Sequence, residues 1–230
     1  MRLKYPAYQI VIILVIIPVF YTIRNHFQII PSINSILPSG VISISNNDFF
    51  MAAWLSIVIL HWISLTLVFA FLKINNYKFI DIGYSLSLIQ TLIFIFGLIL
   101  IGLLFYFLKT KSNFDFHYML KSLSPALHSK GELLAWIFLS INAGFCEEIV
   151  YRGFGINSLK TFELPRLIYY IIPIVSWISI HNLDTFSSPT FGIIFLGLNG
   201  FLFTGLYLWR KNLNYSIGLH VIANLTIILI

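Results

Sequence analysis

Two adjacent glutamates inside an apolar stretch are the residues whose type and spacing could most readily do chemistry. The segment reads Asn142-Ala-Gly-Phe-Cys-Glu147-Glu148-Ile-Val-Tyr-Arg152-Gly-Phe. An ionisable group at mid-membrane costs roughly 2.5–3.5 kcal/mol on insertion scales, so such a residue marks function by default. On a helix, Glu148 and Arg152 are four apart and face each other in the better orientation for an ion pair. Glu147 lies about 100° round the helix from Glu148 and cannot share that pairing equally. The spacing therefore predicts one paired, structural carboxylate and one unpaired carboxylate free to take a proton from water. The bland alternative is a pair of glutamates that cap the cytoplasmic end of a span and snorkel to the headgroups.

Two further groups weigh against the bland alternative. Trp177-Ile-Ser-Ile-His181 places an indole and an imidazole one turn apart, and His220-Val-Ile-Ala-Asn224 aligns an imidazole with an amide on one helical stripe. A Glu, two His and an Asn converging from three helices are what water activation and carbonyl polarisation require. A lone membrane histidine is more often a packing residue. His61, beside Trp62 and without a polar companion at helical spacing, is read that way, and His26, His117 and His128 fall in loops. Cys146 precedes the acidic pair with no histidine nearby in sequence, which disfavours a catalytic thiol. Ser179 lies on a different face from His181. Neither GxSxG nor HExxH occurs, so two familiar hydrolase routes lack their signature.

The elements that must position these groups follow from composition. Of 230 residues, 59% are hydrophobic and only 10% charged, whereas soluble domains sit near a quarter charged. Apolar surface this abundant excludes both an ordinary soluble globule and a disordered chain. One cysteine excludes a disulfide framework and a Cys-rich metal site. The formal charge of +6 comes without a basic run, which argues against nucleic acid as a partner. Basic residues in such a chain are expected at the cytoplasmic ends of spans.

Charge-free stretches run over 5–23, 49–72, 82–108, 133–146, 167–183, 185–209 and 212–230, and five of the seven have 19 residues or more. About 20 apolar residues cross a bilayer. The predicted fold is all-α: a polytopic transmembrane helix bundle of about seven to eight helices, one membrane-embedded domain over 1–230. Residues 1–130 form its N-terminal spans and 131–230 the core that carries the motifs. The first span follows Arg2 and Lys4 as a signal peptide would, but it lacks a small-x-small cleavage site and reads as a retained anchor. Residues 24–48 read as an external loop and 109–132 as the other long connection. Counting Lys and Arg in alternate loops gives eight against five for a cytoplasmic N-terminus, and the Ile- and Asn-rich usage suggests a bacterial plasma membrane. No internal repeat of a transporter kind is present.

Taken in order on three membrane helices, Glu147-Glu148-x-x-x-Arg152, the aromatic-x-x-x-His181 element and His220-x-x-x-Asn224 resemble the CPBP intramembrane proteases. That family includes CAAX prenyl-protein endopeptidases and bacteriocin-processing or self-immunity proteins. The resemblance runs from about Gly131 to Ile230, with Trp177 where the family usually has Phe. It implies an intramembrane endopeptidase acting on a membrane-associated or leader-type peptide or protein, the lipid bilayer being its other partner. Glu147 and His181 would activate the water, and His220 and Asn224 would bind the oxyanion or help place the water. Glu148 and Arg152 would hold the helix, and Trp177 would wall the substrate pocket. Members are described both as metalloproteases and as metal-independent glutamic enzymes. No cofactor is favoured, although Glu147, His181 and His220 could ligate Zn²⁺ with an open fourth position. The rival reading is a non-enzymatic immunity or regulatory protein. Depth adds a condition: His181 lies fifteen residues after Arg166, too deep to meet Glu147 unless the fifth span starts at Pro173 and residues 160–172 run along the interface.

Overall fold

The computed structural model describes residues 4–27, 46–85, 130–183 and 188–229, together with residues 96, 100 and 186. Among these residues the chain is helical, with no strand. Helix α1 is a continuous rod in three segments, Ala7–Val11, a π-helical Ile12–Ile16 and Ile17–Phe27. Pro18 lies just after the π-helical stretch. It has no N–H to offer the carbonyl of Leu14 four residues earlier, and a carbonyl in lipid needs another donor. The Ser176 hydroxyl donates to it at 2.8 Å.

Helix α2 spans Asn46–Ile74 and is followed by Asn76 in the left-handed region at φ 57°, a conformation that a short polar side chain tolerates. A 3₁₀ turn at Phe79–Ile82 leads to Gly83 at φ 91°. A Cβ there would lie 2.8 Å from the Tyr207 ring, so glycine serves both the turn and the close approach. Helix α3 runs as Lys130–Glu147, a π-helical Glu148–Gly155, and Ile156–Leu159. Helix α4 is Arg166–Ser179. Helix α5 is Pro189–Arg210, with Pro in its first turn and the Ser188 hydroxyl accepting from the Phe191 N–H at 3.1 Å, as helix starts favour. Helix α6 is Leu213–Leu229, tied at its start by the Leu213 N–H on the Gly83 carbonyl at 2.8 Å.

Helix α3 is the central rod, packed against α1, α2, α4 and α6, while α5 lies against α4 and α6. Small residues set the closest approach. A Cβ on Gly144 would stand 2.6 Å from Val221 Cγ2 and 3.1 Å from its backbone nitrogen, so α3 and α6 meet almost backbone to backbone. Such contacts are how helices associate where lipid removes the usual apolar driving force. Among the described residues, three helices are long and apolar enough to cross a membrane, over Ala7–Asn25, Leu55–Ile74 and Pro189–Arg210. Their outer faces expose Val15, Val19 and Phe20, then Leu55, Ile59 and Trp62, then Leu198, Phe201 and Leu202. Apolar surface this extensive would aggregate in water, and the chain is an integral membrane protein.

Contacts also gather one set of chain turns. The Lys4 N–H donates to Tyr77 Oη at 2.8 Å, the Tyr5 N–H to Thr161 Oγ1 at 3.2 Å, and Asn157 Nδ2 to Tyr207 Oη at 2.6 Å. Residues 4–5, 75–84, 157–166 and 207–213 therefore share one end of the bundle. With them lie Lys4, Lys73, Lys78, Lys160, Arg166, Arg210 and Lys211.

One expectation changes and another is met in part. The described residues hold six helices against the seven to eight predicted. The stretch 82–108, the loop 24–48 and the connection 109–132 lie largely outside the described residues. Pro173 does not begin a helix; it sits inside α4, which starts at Arg166 directly after Pro165. The depth problem is removed on the other side, because α3 continues past Arg152 to Leu159. Glu147 is thus twelve residues, about 18 Å, from that end, and Trp177 is eleven, about 17 Å, into α4. The two helices are antiparallel neighbours, and these side chains come level.

Widening Gly144 to leucine should push α3 from α6 and lower stability by about 1–3 kcal/mol, read as a fall in the unfolding midpoint in detergent micelles. Gly197→Ala, where a Cβ would meet nothing within 4 Å, should leave that midpoint unchanged or raise it slightly.

Candidate active site

The cluster is built around α3. Glu147, at the last α-helical position, is 5% exposed and Glu148, at the first π-helical one, is fully buried. Neither snorkels. π-Helical stretches inside α-helices are frequent at functional sites, and here one begins between the two carboxylates, which point to different neighbours. Glu148 Oε1 lies 3.0 Å from Arg152 Nη1, the pair that the four-residue spacing predicts. The same oxygen accepts from His220 Nδ1 at 2.9 Å, so Glu148 orients an imidazole on α6 as well as a guanidinium on its own helix. Arg152 is fully buried, with its guanidinium 4.5 Å from the centre of the Trp177 ring and 5.5 Å from that of Phe203. Aromatic faces of this kind stabilise a desolvated cation.

Glu147 is not the unpaired group expected. Its Oε1 accepts from His61 Nε2 at 3.0 Å, and its Oε2 accepts from Trp177 Nε1. His220 Nε2 stands 3.8 Å from the same Oε2, beyond a direct hydrogen bond. Trp177 is therefore more than a wall: its indole N–H, which a phenylalanine would lack, touches the carboxylate. The indole also stands edge-on to His181 at 4.7 Å and to His220 at 5.7 Å between ring centres, and so joins the two histidines to Glu147.

His181 follows the last turn of α4, half buried. Its Nδ1 donates to the Trp177 carbonyl at 2.9 Å, which leaves Nε2 as the lone-pair nitrogen. His220 is buried and stacked on Phe203 at 4.8 Å. Asn224 lies one turn beyond it, half buried, with its carbonyl accepting from Trp136 Nε1 at 3.3 Å. No hydrogen bond among the described residues joins the Asn224 side chain to the carboxylates. The structure thus brings Glu147, Glu148, Arg152, Trp177, His181 and His220 together and leaves Asn224 at the margin. Among the described residues, no three His, Cys, Asp or Glu side chains are arranged to hold a metal ion.

Sequence reasoning missed His61 and Asn142. His61, on α2, was expected only to pack. It is buried, but it bonds Glu147 through Nε2, and its Nδ1 meets Asn142 Nδ2 at 2.8 Å. The available signal was the position itself, since an ionisable side chain inside a span is a candidate whatever its neighbours in sequence. Beside it, Tyr21, Ser64, Cys146, Val150 and Tyr151 pack around His61 and Glu147 too closely to admit a water molecule.

Removing one partner of a buried ion pair leaves an uncompensated charge. Arg152→Met should therefore cost about 3–5 kcal/mol of stability, measured by unfolding in micelles. Adding Glu148→Gln to that variant should recover part of the loss, a coupling visible in a double-mutant cycle.

Residues 129–226 match the family described as type II CAAX prenyl endopeptidase Rce1-like. No curated protein and no solved structure gives a match. The matched segment covers all of α4 and α5, all but the last residues of α6, and α3 with both glutamates, Arg152, Trp177, His181, His220 and Asn224; His61 lies outside it. Over those residues, the chain is similar to the CAAX-type (CPBP) intramembrane proteases.

Proposed function

We propose that this protein is an intramembrane endopeptidase that hydrolyses a peptide bond in a membrane-associated or leader-type peptide by carboxylate-activated water. The observation that carries the proposal is the 3.8 Å gap between Glu147 Oε2 and His220 Nε2 inside a buried cluster. An oxygen atom about 2.8 Å from each would bridge them. In that place a water gives a proton to Glu147 as it attacks the scissile carbonyl carbon. The C–N bond then breaks, and the proton passes from Glu147 to the departing amine. His181, with its lone pair on Nε2, helps to hold the attacking water.

His220, with Nδ1 directed at Glu148 Oε1, turns Nε2 towards Glu147 Oε2 and helps to place the attacking water. The Asn224 amide, one turn further along α6, donates to the oxyanion. Glu148 and Arg152 keep the imidazole in place.

Both oxygens of Glu147 already accept from N–H groups, a setting suited to a carboxylate base and poor for one that must share a cation. We therefore favour the metal-free, glutamic mechanism. The basic end of the bundle is read as cytoplasmic, following the usual bias of Lys and Arg, with the N-terminus inside a bacterial plasma membrane.

Purified protein incubated with a peptide library should cleave it equally well with and without a chelator. Glu147→Gln should lower kcat by about 10²–10⁴-fold while the protein remains folded in micelles. A folded Glu147→Gln variant of full activity would refute the proposal, and activity lost to the chelator and restored by Zn²⁺ would replace the metal-free mechanism.

A further inference from the structure

The strongest feature outside the matched segment is the contact that α2 makes with the acidic pair. His61 is 3% exposed and lies opposite Glu147, with Tyr21 tilted against its ring at 5.8 Å between centres. Its two nitrogens are not equivalent. Cys146 Sγ donates to Asn142 Oδ1 at 3.7 Å, which turns the NH₂ end of that amide towards His61. The Asn142 amide therefore donates to Nδ1 at 2.8 Å. In a neutral imidazole one ring nitrogen accepts and the other donates, so the ring proton sits on Nε2 and is directed at Glu147 Oε1, 3.0 Å away.

His181 and His220 have the opposite arrangement: each has Nδ1 tied to an oxygen acceptor, the Trp177 carbonyl and Glu148 respectively, with Nε2 left over. His61 thus differs in kind from the two histidines of the matched segment. It cannot offer a lone pair to a water beside Glu147, but it can fix the plane of the carboxylate. A carboxylate held on one oxygen only would turn about its terminal torsion, which is broad. Held by His61 on Oε1 and Trp177 on Oε2, it keeps Oε2 facing His220.

We infer that His61, oriented by Asn142, is a positioning residue for this reaction: its Nε2–H holds Glu147 Oε1 so that Oε2 stays aimed at the bridging water. The inference rests on the reading of Glu147 as the base, and it assigns part of the machinery to the half of the chain that the family match does not reach. Misplacing a reacting group by about 1 Å costs about 10²-fold in rate, so the effect should appear in kcat, with KM little changed.

The experiment uses the full chain and the best substrate from the peptide library. His61→Phe keeps an aromatic ring against Tyr21 but removes both nitrogens; kcat should fall by about 10²-fold with KM within about twofold. His61→Gln loses the ring but can place an amide N–H near the Nε2 position; kcat should return to within about tenfold of wild type. A packing role predicts the reverse order, and a folded His61→Phe variant of wild-type kcat would overturn the inference. Should His61→Phe not fold, the ¹⁵N shifts of the His61 ring in the wild-type protein decide. A proton on Nε2 is expected, and one on Nδ1 would overturn the inference. Glu147→Gln measured alongside separates the two levels: if it is inactive while His61→Phe is active, only the role of His61 falls, whereas an active Glu147→Gln removes both.

Discussion

Two neighbouring carboxylates held almost entirely away from water govern the rest of this molecule. Each ion costs several kcal/mol to bury, even after relaxation of its surroundings, and the cost is offset only where partners lie close and well directed. Glu148 meets it with Arg152 on its own helix and His220 on α6. Glu147 meets it with His61 on α2 and Trp177 on α4. Between lipid tails, apolar side chains gain little by choosing each other over lipid, so helix association rests on close packing and interhelical hydrogen bonds. The acidic pair is thus the crossing point of the bundle as well as its candidate reactive centre. Helices α2, α4 and α6 are ordered around α3 because each brings one donor to it.

The local form of α3 makes this possible. An α-helix would carry Glu147 and Glu148 about 100° apart, enough to separate their partners but not to give each its own set. The widening that begins at Glu148 lets Arg152 remain opposite it while its guanidinium lies over the Trp177 ring. Gly144, one turn earlier, lets α6 come close enough for His220 to reach both carboxylates. Trp177 fits the same logic. Where the resembling family usually has a phenyl ring, this chain has an indole, and its N–H is spent on Glu147. A bulkier ring with an unmet donor would have been a liability in this place, whereas a donor aimed at a carboxylate is not.

Much of this could be read from the residues in order. The Glu148–Arg152 pair follows from a spacing of four, and the three helices long enough to span follow from uninterrupted apolar runs. The convergence of His181 and His220 on the acidic pair follows from the improbability of leaving polar groups in lipid on three separate helices. His61 reads as packing in the sequence for a physical reason. Periodicity reports companions along one helix, but Glu147 is 86 residues away in sequence and meets His61 only by tertiary packing. The proline in α4 misled in a similar way. Pro173 suggests a helix start because proline breaks or begins helices, yet it sits inside α4. Arg152 is interior, and α3 runs two more turns before the chain reverses.

The division between the matched segment and the rest of the chain then has a chemical sense. Every group that must meet water or a substrate carbonyl on the proposed reading, from Glu147 to Asn224, lies within 129–226, where the choice of residue is set by the reaction. The contribution of α2 is of another type. A single N–H directed at one carboxylate oxygen can come from histidine, glutamine, asparagine or tryptophan, on any helix that passes within reach, and the requirement fixes neither the residue nor its register. A segment under so loose a demand can change its sequence while still serving the same carboxylate. That is why a first half that matches only in being hydrophobic can still close around the site, and why His61 reads as ordinary core until the helices are assembled.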